Sequence, residues 1–495
     1  MSSTVINAHG GRLAPTPASI GARLDRMPIG RAHRRITAVI GVGLVFDTFE
    51  NNLSGTISKV LQGKFAMDAT TLKFVLASAF IGQFLGSLVV GRLADRFGRR
   101  TAFLLNLALY SCCSLLAAFA PGAGWLIAAR FLAGIGIGSE QALSDCYLAD
   151  VLPASRRGRF IAWAYTLAFC GVPAVGFAAL WLVPLNPLGL AGWRWLFLIG
   201  ALGSAVVWVL RRGLFESPRW LAARGRLAEA ETLVAAMEAE AGLPQATTAV
   251  ESTAVKARAV QATTAVEAGA AAGTGAVEAG TAGAAGGPGA AGQAGAAARP
   301  HRVLSPALRR RTVMLWILCV LSAVGYYGFG TLAPQILAAK GYGVVTGLGY
   351  TALCFLGYPA GSALSVPVVE RMERRNLLAL SACAMALAGL GFGLAGSPEL
   401  VVLLGFTYTL CSNVFSSVSH VYLSEQYPTE IRGGACGAAY SLSKLSAGAL
   451  PFVLLPVLTH DGATAVFGVV AAATAVLVVA VLTLGGRTTG LSVDR

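Results

Sequence analysis

Phe46-Asp47-Thr48-Phe49-Glu50-Asn51-Asn52 sets two carboxylates three residues apart inside an otherwise apolar run. On a helix that spacing puts both on one face. A charged group at the centre of a membrane span costs ~2.5–3.5 kcal/mol on insertion scales, so each one is a functional candidate by default. Two carboxylates close together in a low-dielectric cavity raise one another's affinity for protons, which is what a proton-coupling site needs. Arg130, in the fourth apolar run, can pair with either acid, and an ion pair that only stabilises the bundle is the competing explanation. The spacing does not separate the roles of Asp47 and Glu50. Glu140 and Asp145 follow in the same run as Arg130, rotated from each other by about 140° at 3.6 residues per turn. Glu140 lies deeper and joins the coupling candidates; Asp145 lies nearer the cytoplasmic end and goes with the gate.

The second half of the chain offers groups that could hold a substrate. Tyr326 and Tyr327 combine rings that stack on a planar molecule with hydroxyls that donate hydrogen bonds, although packing at a membrane interface accounts for them equally well. Asn51, Asn413 and His420 add polar groups within apolar runs, alongside Ser412, Ser416 and Ser417. Lys444 is too central in its run to reach the interface by snorkelling. Facing a cavity, it would attract a carboxylate. With Arg130, it favours an organic anion over a neutral sugar.

Helices that cross a bilayer must position these groups. The chain is 55% hydrophobic and only 12% charged, with a mean hydropathy of +0.67. A soluble protein of this length carries about twice that charged fraction. A spanning helix needs ~20 apolar residues, and twelve such runs are predicted. They fall at 36–57, 72–92, 101–120, 123–146, 159–183 and 194–212, then 312–336, 346–369, 376–396, 399–422, 433–456 and 462–485. The expected organisation is a tail (1–35), a six-helix bundle (36–212), a central loop (213–311), a second bundle (312–485) and a short tail (486–495). Within the loop, 245–300 is an Ala/Gly-rich insert in which QATTAVE occurs twice, a composition unable to bury enough apolar surface to fold.

The net charge of +15 does not point to nucleic acid, because the basic residues cluster on alternate connections. That is the positive-inside pattern, and it predicts both termini in the cytoplasm. The first 35 residues lack a short apolar core, so no cleaved signal peptide is expected. The nine cysteines form no ligand spacing; neither metal nor cofactor is expected.

One offset runs through the chain. Tyr147-Leu148-Ala149-Asp150 returns as Tyr422-Leu423-Ser424-Glu425, 275 residues later, and the same shift carries Gly55-Thr56 onto Gly330-Thr331 and Tyr165 onto Tyr440. Two halves of six spans each are therefore parallel repeats about an axis along the membrane normal. The fold class is an all-α membrane protein of twelve transmembrane helices in two parallel-repeat six-helix bundles.

Gly91-Arg92-Leu93-Ala94-Asp95-Arg96-Phe97-Gly98-Arg99-Arg100 joins the second and third runs; Glu216-Ser217-Pro218-Arg219 follows the sixth, and Tyr427-Pro428 with Arg432-Gly433 follows the tenth. In these motifs the chain resembles the major facilitator superfamily, in its sugar-porter and metabolite:proton-symporter branches. The paired acids of the first run, and Tyr326-Tyr327-Gly328 in place of a sugar-porter signature, look more like organic-acid or niacin-type porters. The resemblance implies a cytoplasmic gate built from Gly91, Asp95, Arg96, Gly98, Arg99, Asp150, Arg157, Glu216, Arg219, Glu370, Arg374, Glu425 and Arg432. Asp95 would face the start of the eleventh helix, where the helix dipole favours a carboxylate, while Asp150 with Arg157 and Glu425 with Arg432 would pair at the ends of the halves. It implies a monomeric secondary transporter of the bacterial inner membrane, with a small molecule, protons and lipid as its partners. Sugar import, drug:proton antiport and a non-transporting receptor are the alternatives. No nucleophile–base arrangement or phosphate loop suggests an enzyme.

Overall fold

The computed structural model describes residues 16–243, 306–369, 371–426 and 429–486. The insert 245–300, Glu370 and both ends of the chain lie outside them, as do the side chains at 90–92, 95, 306–307, 424–425 and 429–436. The gate assignments to Gly91, Asp95, Glu370, Glu425 and Arg432 therefore fall outside the described residues.

Nine helices among the described residues are long and apolar enough to cross a membrane. The last of these, Gly437–Leu484, is two spans: Gly462 adopts a φ of 82°, which ends one helix and starts the next. The first span, Arg31–Thr56, and the fourth, Ala123–Ile137 continued by Glu140–Val151, complete the twelve. Those two carry Asp47, Glu50, Arg130 and Glu140, and so stand out least by apolarity.

The repeat appears in the packing as well as in the motifs. Spans two and four touch backbone to backbone: a Cβ on Gly82 would overlap the carbonyl of Phe131, and one on Gly86 that of Ile135. Spans eight and ten do the same at Gly357 against Phe406 and Gly361 against Leu410. All four partners sit at the 275-residue offset. Small residues four apart let membrane helices approach this closely where no larger side chain would fit.

The halves meet along two seams, span two with eleven and span five with eight. At the end remote from the basic connections, called here the far end, spans one and seven also close. Gly55 lies against Thr331 there, and Gln335 donates to Ser58 Oγ at 3.4 Å.

Within the expected tail, Pro17–Arg26 is a helix, and the first span starts at Arg31 rather than 36. The tail helix buries Ile20 and Leu24 against two short helices that follow span six, Pro218–Ala223 and Leu227–Glu240. Arg23 fastens them, donating to Glu238 at 2.6 and 2.9 Å and to Glu231.

Candidate substrate and coupling site

A cavity lies between the halves. Spans one, four and five supply Thr48, Asn51, Asn52, Gln141 and Phe169 to its wall. The second half supplies most of the rest, including Tyr326, Tyr327, His420 and Tyr440. Asn51 is held by Gln83, which donates to its Oδ1 at 2.7 Å. Tyr326 meets Tyr327 and Tyr358 edge-on, with ring centroids 4.8 and 5.5 Å apart, and Tyr358 stacks in turn on Phe169.

Behind the wall, inside the first half, lie two fully buried ion pairs. Arg130 donates to Glu50 Oε2 at 2.8 Å and to the Glu50 carbonyl at 2.8 Å. Arg211, near the end of span six, pairs with Glu140. Glycines make room for both: a Cβ on Gly200 would overlap the Glu50 carboxylate, and one on Gly43 the Arg211 guanidinium. Arg211 also lies 4.4 Å from the Phe103 ring centroid.

These pairs correct two expectations. Arg130 and Glu140 do not line the cavity, because each is taken by a partner within its own half. Asn413 is withdrawn as well, since its side-chain amide donates to the Tyr358 carbonyl at 2.6 Å. Asn51, Tyr326, Tyr327 and His420 do face the cavity.

Asp47 differs from Glu50. It is 2% exposed, has no ion-pair partner among the described residues, and its Oδ1 accepts no hydrogen bond. Lys444, also 2% exposed, lies one layer behind the wall and donates to Tyr327 Oη at 2.7 Å. Its ammonium lies 5.0 Å from the rings of both Tyr327 and Tyr440. Among the described residues no carboxylate is within ion-pair distance of it.

Toward the basic end the cavity is crossed by a cluster that obeys the repeat. Tyr165 donates to Asp145 at 2.9 Å and stacks on His420 of the other half. Tyr440 lies against His420 and donates to Gln141. The 275-residue shift relates Asp145 to His420 and Tyr165 to Tyr440. Asp145 is thus held by Tyr165 within this cluster, behind the cavity wall, rather than in the gate beneath.

The basic-end network also differs from expectation. Asp150 bridges Arg99 at 3.8 Å and accepts from Ser217 at 2.8 Å, while Arg157 turns to Asp25 at 3.5 Å. The reason is the tail helix, which brings Asp25 in reach of both Arg157 and Arg219, the latter at 2.8 Å. Glu216 accepts from the backbone N–H of Arg99 at 2.8 Å and of Arg100 at 3.2 Å, capping span three. Gly98, with φ of 100°, leaves the space its carboxylate fills. Arg96 lies 5.3 Å from the Phe97 ring centroid, and Arg374 donates to the Val369 carbonyl at 2.7 Å. The contacts of Ser217, Arg219, Glu216 and Asp25 tie the first half to its own helical cap, whereas those of Arg96 and Arg374 stay within the first and second halves respectively.

The family model described as Major Facilitator Superfamily matches residues 39–357 and 315–492. YyaJ of Bacillus subtilis, provisionally named a metabolite transport protein, is 30% identical over 429 residues, 86% of this chain and 86% of that protein. The niacin transporter NiaP of Acinetobacter baylyi is 28% identical over 474 residues, 96% of this chain and 98% of its own. The xylose transporter XylE from E. coli, in a partially occluded inward open conformation, shares the fold with a TM-score of 0.72 at 18% identity. That alignment covers 93% of this chain and 99% of XylE.

Proposed function

Since the chain belongs to the Major Facilitator Superfamily and is a multi-pass secondary active transporter rather than an enzyme, we propose that it is a proton-coupled symporter. Its substrate on this reading is a small carboxylate-bearing compound, an aromatic acid in the first instance. The halves rock about the cavity, exposing it to each side of the membrane in turn, and one chain is the working unit. The membrane is the bacterial inner membrane, with both termini in the cytoplasm, and the basic-end network acts as the gate on that side. Asp47 carries the proton, while Glu50 with Arg130 and Glu140 with Arg211 serve as fixed pairs that hold the first half together.

The observation that carries this reading is the isolation of Asp47. It is the one buried carboxylate among the described residues with no cationic partner, so a proton is the remaining means of discharging it before reorientation. With substrate bound, a bare buried carboxylate is costly to carry across; the proton taken up on entry is given back on release, so the empty carrier returns with Asp47 ionised. The test is Asp47→Asn in proteoliposomes with an imposed pH gradient. Accumulation of a labelled aromatic acid should vanish, while exchange of labelled for unlabelled acid continues. Accumulation that survives in Asp47→Asn removes Asp47 from the coupling role.

A further inference from the structure

We propose that Tyr327 and Lys444 form the subsite for the substrate's carboxylate, and that Lys444 is a counter-ion shared between that carboxylate and Asp47. The inference rests on the proton-coupled carboxylate reading above and assigns its binding contact and its stoichiometry.

The geometry of the hydroxyl comes first. A tyrosine hydroxyl has one proton to donate and lone pairs to accept with. At Tyr327 a lone pair takes the Lys444 ammonium at 2.7 Å. No acceptor for its proton is found among the described residues, and the residue lines the cavity. An acceptor entering the cavity can therefore take that proton without displacing anything. Hydrogen bonds that involve an ionised group are about twice as strong as neutral ones, and a hydroxyl backed by an ammonium favours an anionic oxygen over a neutral one.

The charges inside the spans make the second argument. Among the described residues the buried ones are the carboxylates of Asp47, Glu50 and Glu140, the guanidinium groups of Arg130 and Arg211, and the ammonium of Lys444. Arg130 and Arg211 are each paired within the first half. One negative charge is left over on the first half, Asp47, and one positive charge on the second, Lys444. These fully buried charges balance only when both halves are counted together; Asp145, half-buried in span four, is held by the Tyr165 hydroxyl rather than by a cation. Lys444 is the one buried cation inside the described spans that no carboxylate holds in an ion pair, which leaves it as the counter-charge of Asp47.

In the empty carrier Lys444 offsets Asp47. A bound carboxylate takes that positive charge for itself, and the interior is left one negative charge in excess. Binding one proton at Asp47, as an O–H bond formed on the side of entry and broken on the side of release, restores neutrality. One monocarboxylate then crosses with one proton, and no net charge moves.

The test compares acids with their own amides, nicotinate with nicotinamide and benzoate with benzamide, on the purified full-length protein. Lys444→Gln should weaken binding of the acids by roughly tenfold to a hundredfold, the loss expected for a hydrogen bond to a charged group, and leave the amides unchanged. Tyr327→Phe should weaken the acids to a smaller degree, and Lys444→Arg should retain them. Asp47→Asn combined with Lys444→Gln removes both left-over charges, and its thermal midpoint should stay near that of the unaltered protein, which separates loss of binding from loss of fold. In proteoliposomes, acid uptake should be independent of membrane potential. Unaltered acid affinity in Lys444→Gln overturns the subsite, and uptake that carries net charge overturns the shared counter-ion. Should the unaltered protein take up none of the acids under a pH gradient, the transport reading itself falls; acid binding that depends on Lys444 without proton-driven uptake supports the subsite and sinks the coupling.

Discussion

Gly55 and Thr331 meet across the boundary between the halves with nothing between them: a Cβ on Gly55 would lie 2.8 Å from the Thr331 Cα. Gly55-Thr56 is also the repeat counterpart of Gly330-Thr331, so the far end closes on matching segments of the two halves. Gly55→Val adds volume where backbone already fills the space, and overpacking of this kind costs about 1–3 kcal/mol. That cost falls on the state closed at the far end. Transport should drop at least roughly fivefold, and a cysteine placed at Ser58 should label faster from that side. Unchanged transport by a well-folded Gly55→Val would show that far-end closure is not required.

The buried pair of Glu50 and Arg130 should behave asymmetrically. Removing one partner, as in Arg130→Ala, strands the other charge and should destabilise by roughly 3–5 kcal/mol. Replacing both with methionine should recover most of that loss, because desolvation of the ions is then avoided as well. Thermal unfolding in detergent measures both, and the same contrast is expected for Glu140 with Arg211.

Tyr440 and His420 hold the cavity's basic-end side by contacts that span the halves. Tyr440→Phe deletes the bond to Gln141, worth about 1 kcal/mol net. The balance between the carrier's two states should move about fivefold toward the form open at the basic end. Distance measurement between labels on the two halves, before and after the substitution, reads this directly.

Glu216 should act on stability rather than on coupling. Glu216→Ala leaves the first N–H groups of span three without their acceptor, and loss of such a cap costs about 0.5–2 kcal/mol. The thermal midpoint should fall, while the ratio of protons to substrate stays as it was.

Much of the fold was legible in the sequence because lipid imposes a length and a composition on every span. The offset of 275 residues foretold two equivalent halves, and Gly82, Gly86, Gly357 and Gly361 carry the same signal in their packing. The site was legible in its parts and not in its pairings. Helical spacing gives neighbours on one helix and is silent on what another helix presents, so Asp47 and Glu50 read alike. Their difference lies in Arg130 and in the slot left by Gly200 on span six. Arg211 was missed because Arg211-Arg212 ends an apolar run and reads as a topology signal. The clue was an imbalance, the four acids Asp47, Glu50, Glu140 and Asp145 in the first six runs against Arg130 as the one arginine away from their ends. Lys444 was noticed for its charge; its tie to Tyr327 follows only from the approach of spans seven and eleven.

The small helical cap at the basic end has a mechanical consequence. Arg23 clamps the tail helix to Glu238, and Glu216 ties the start of the cap to span three. Whatever swings during the cycle, these pieces travel as cargo on the half that bears Asp47. A binder gripping the cap from outside would therefore anchor that half like a hand on a door frame, and leave the half with Lys444 as the door.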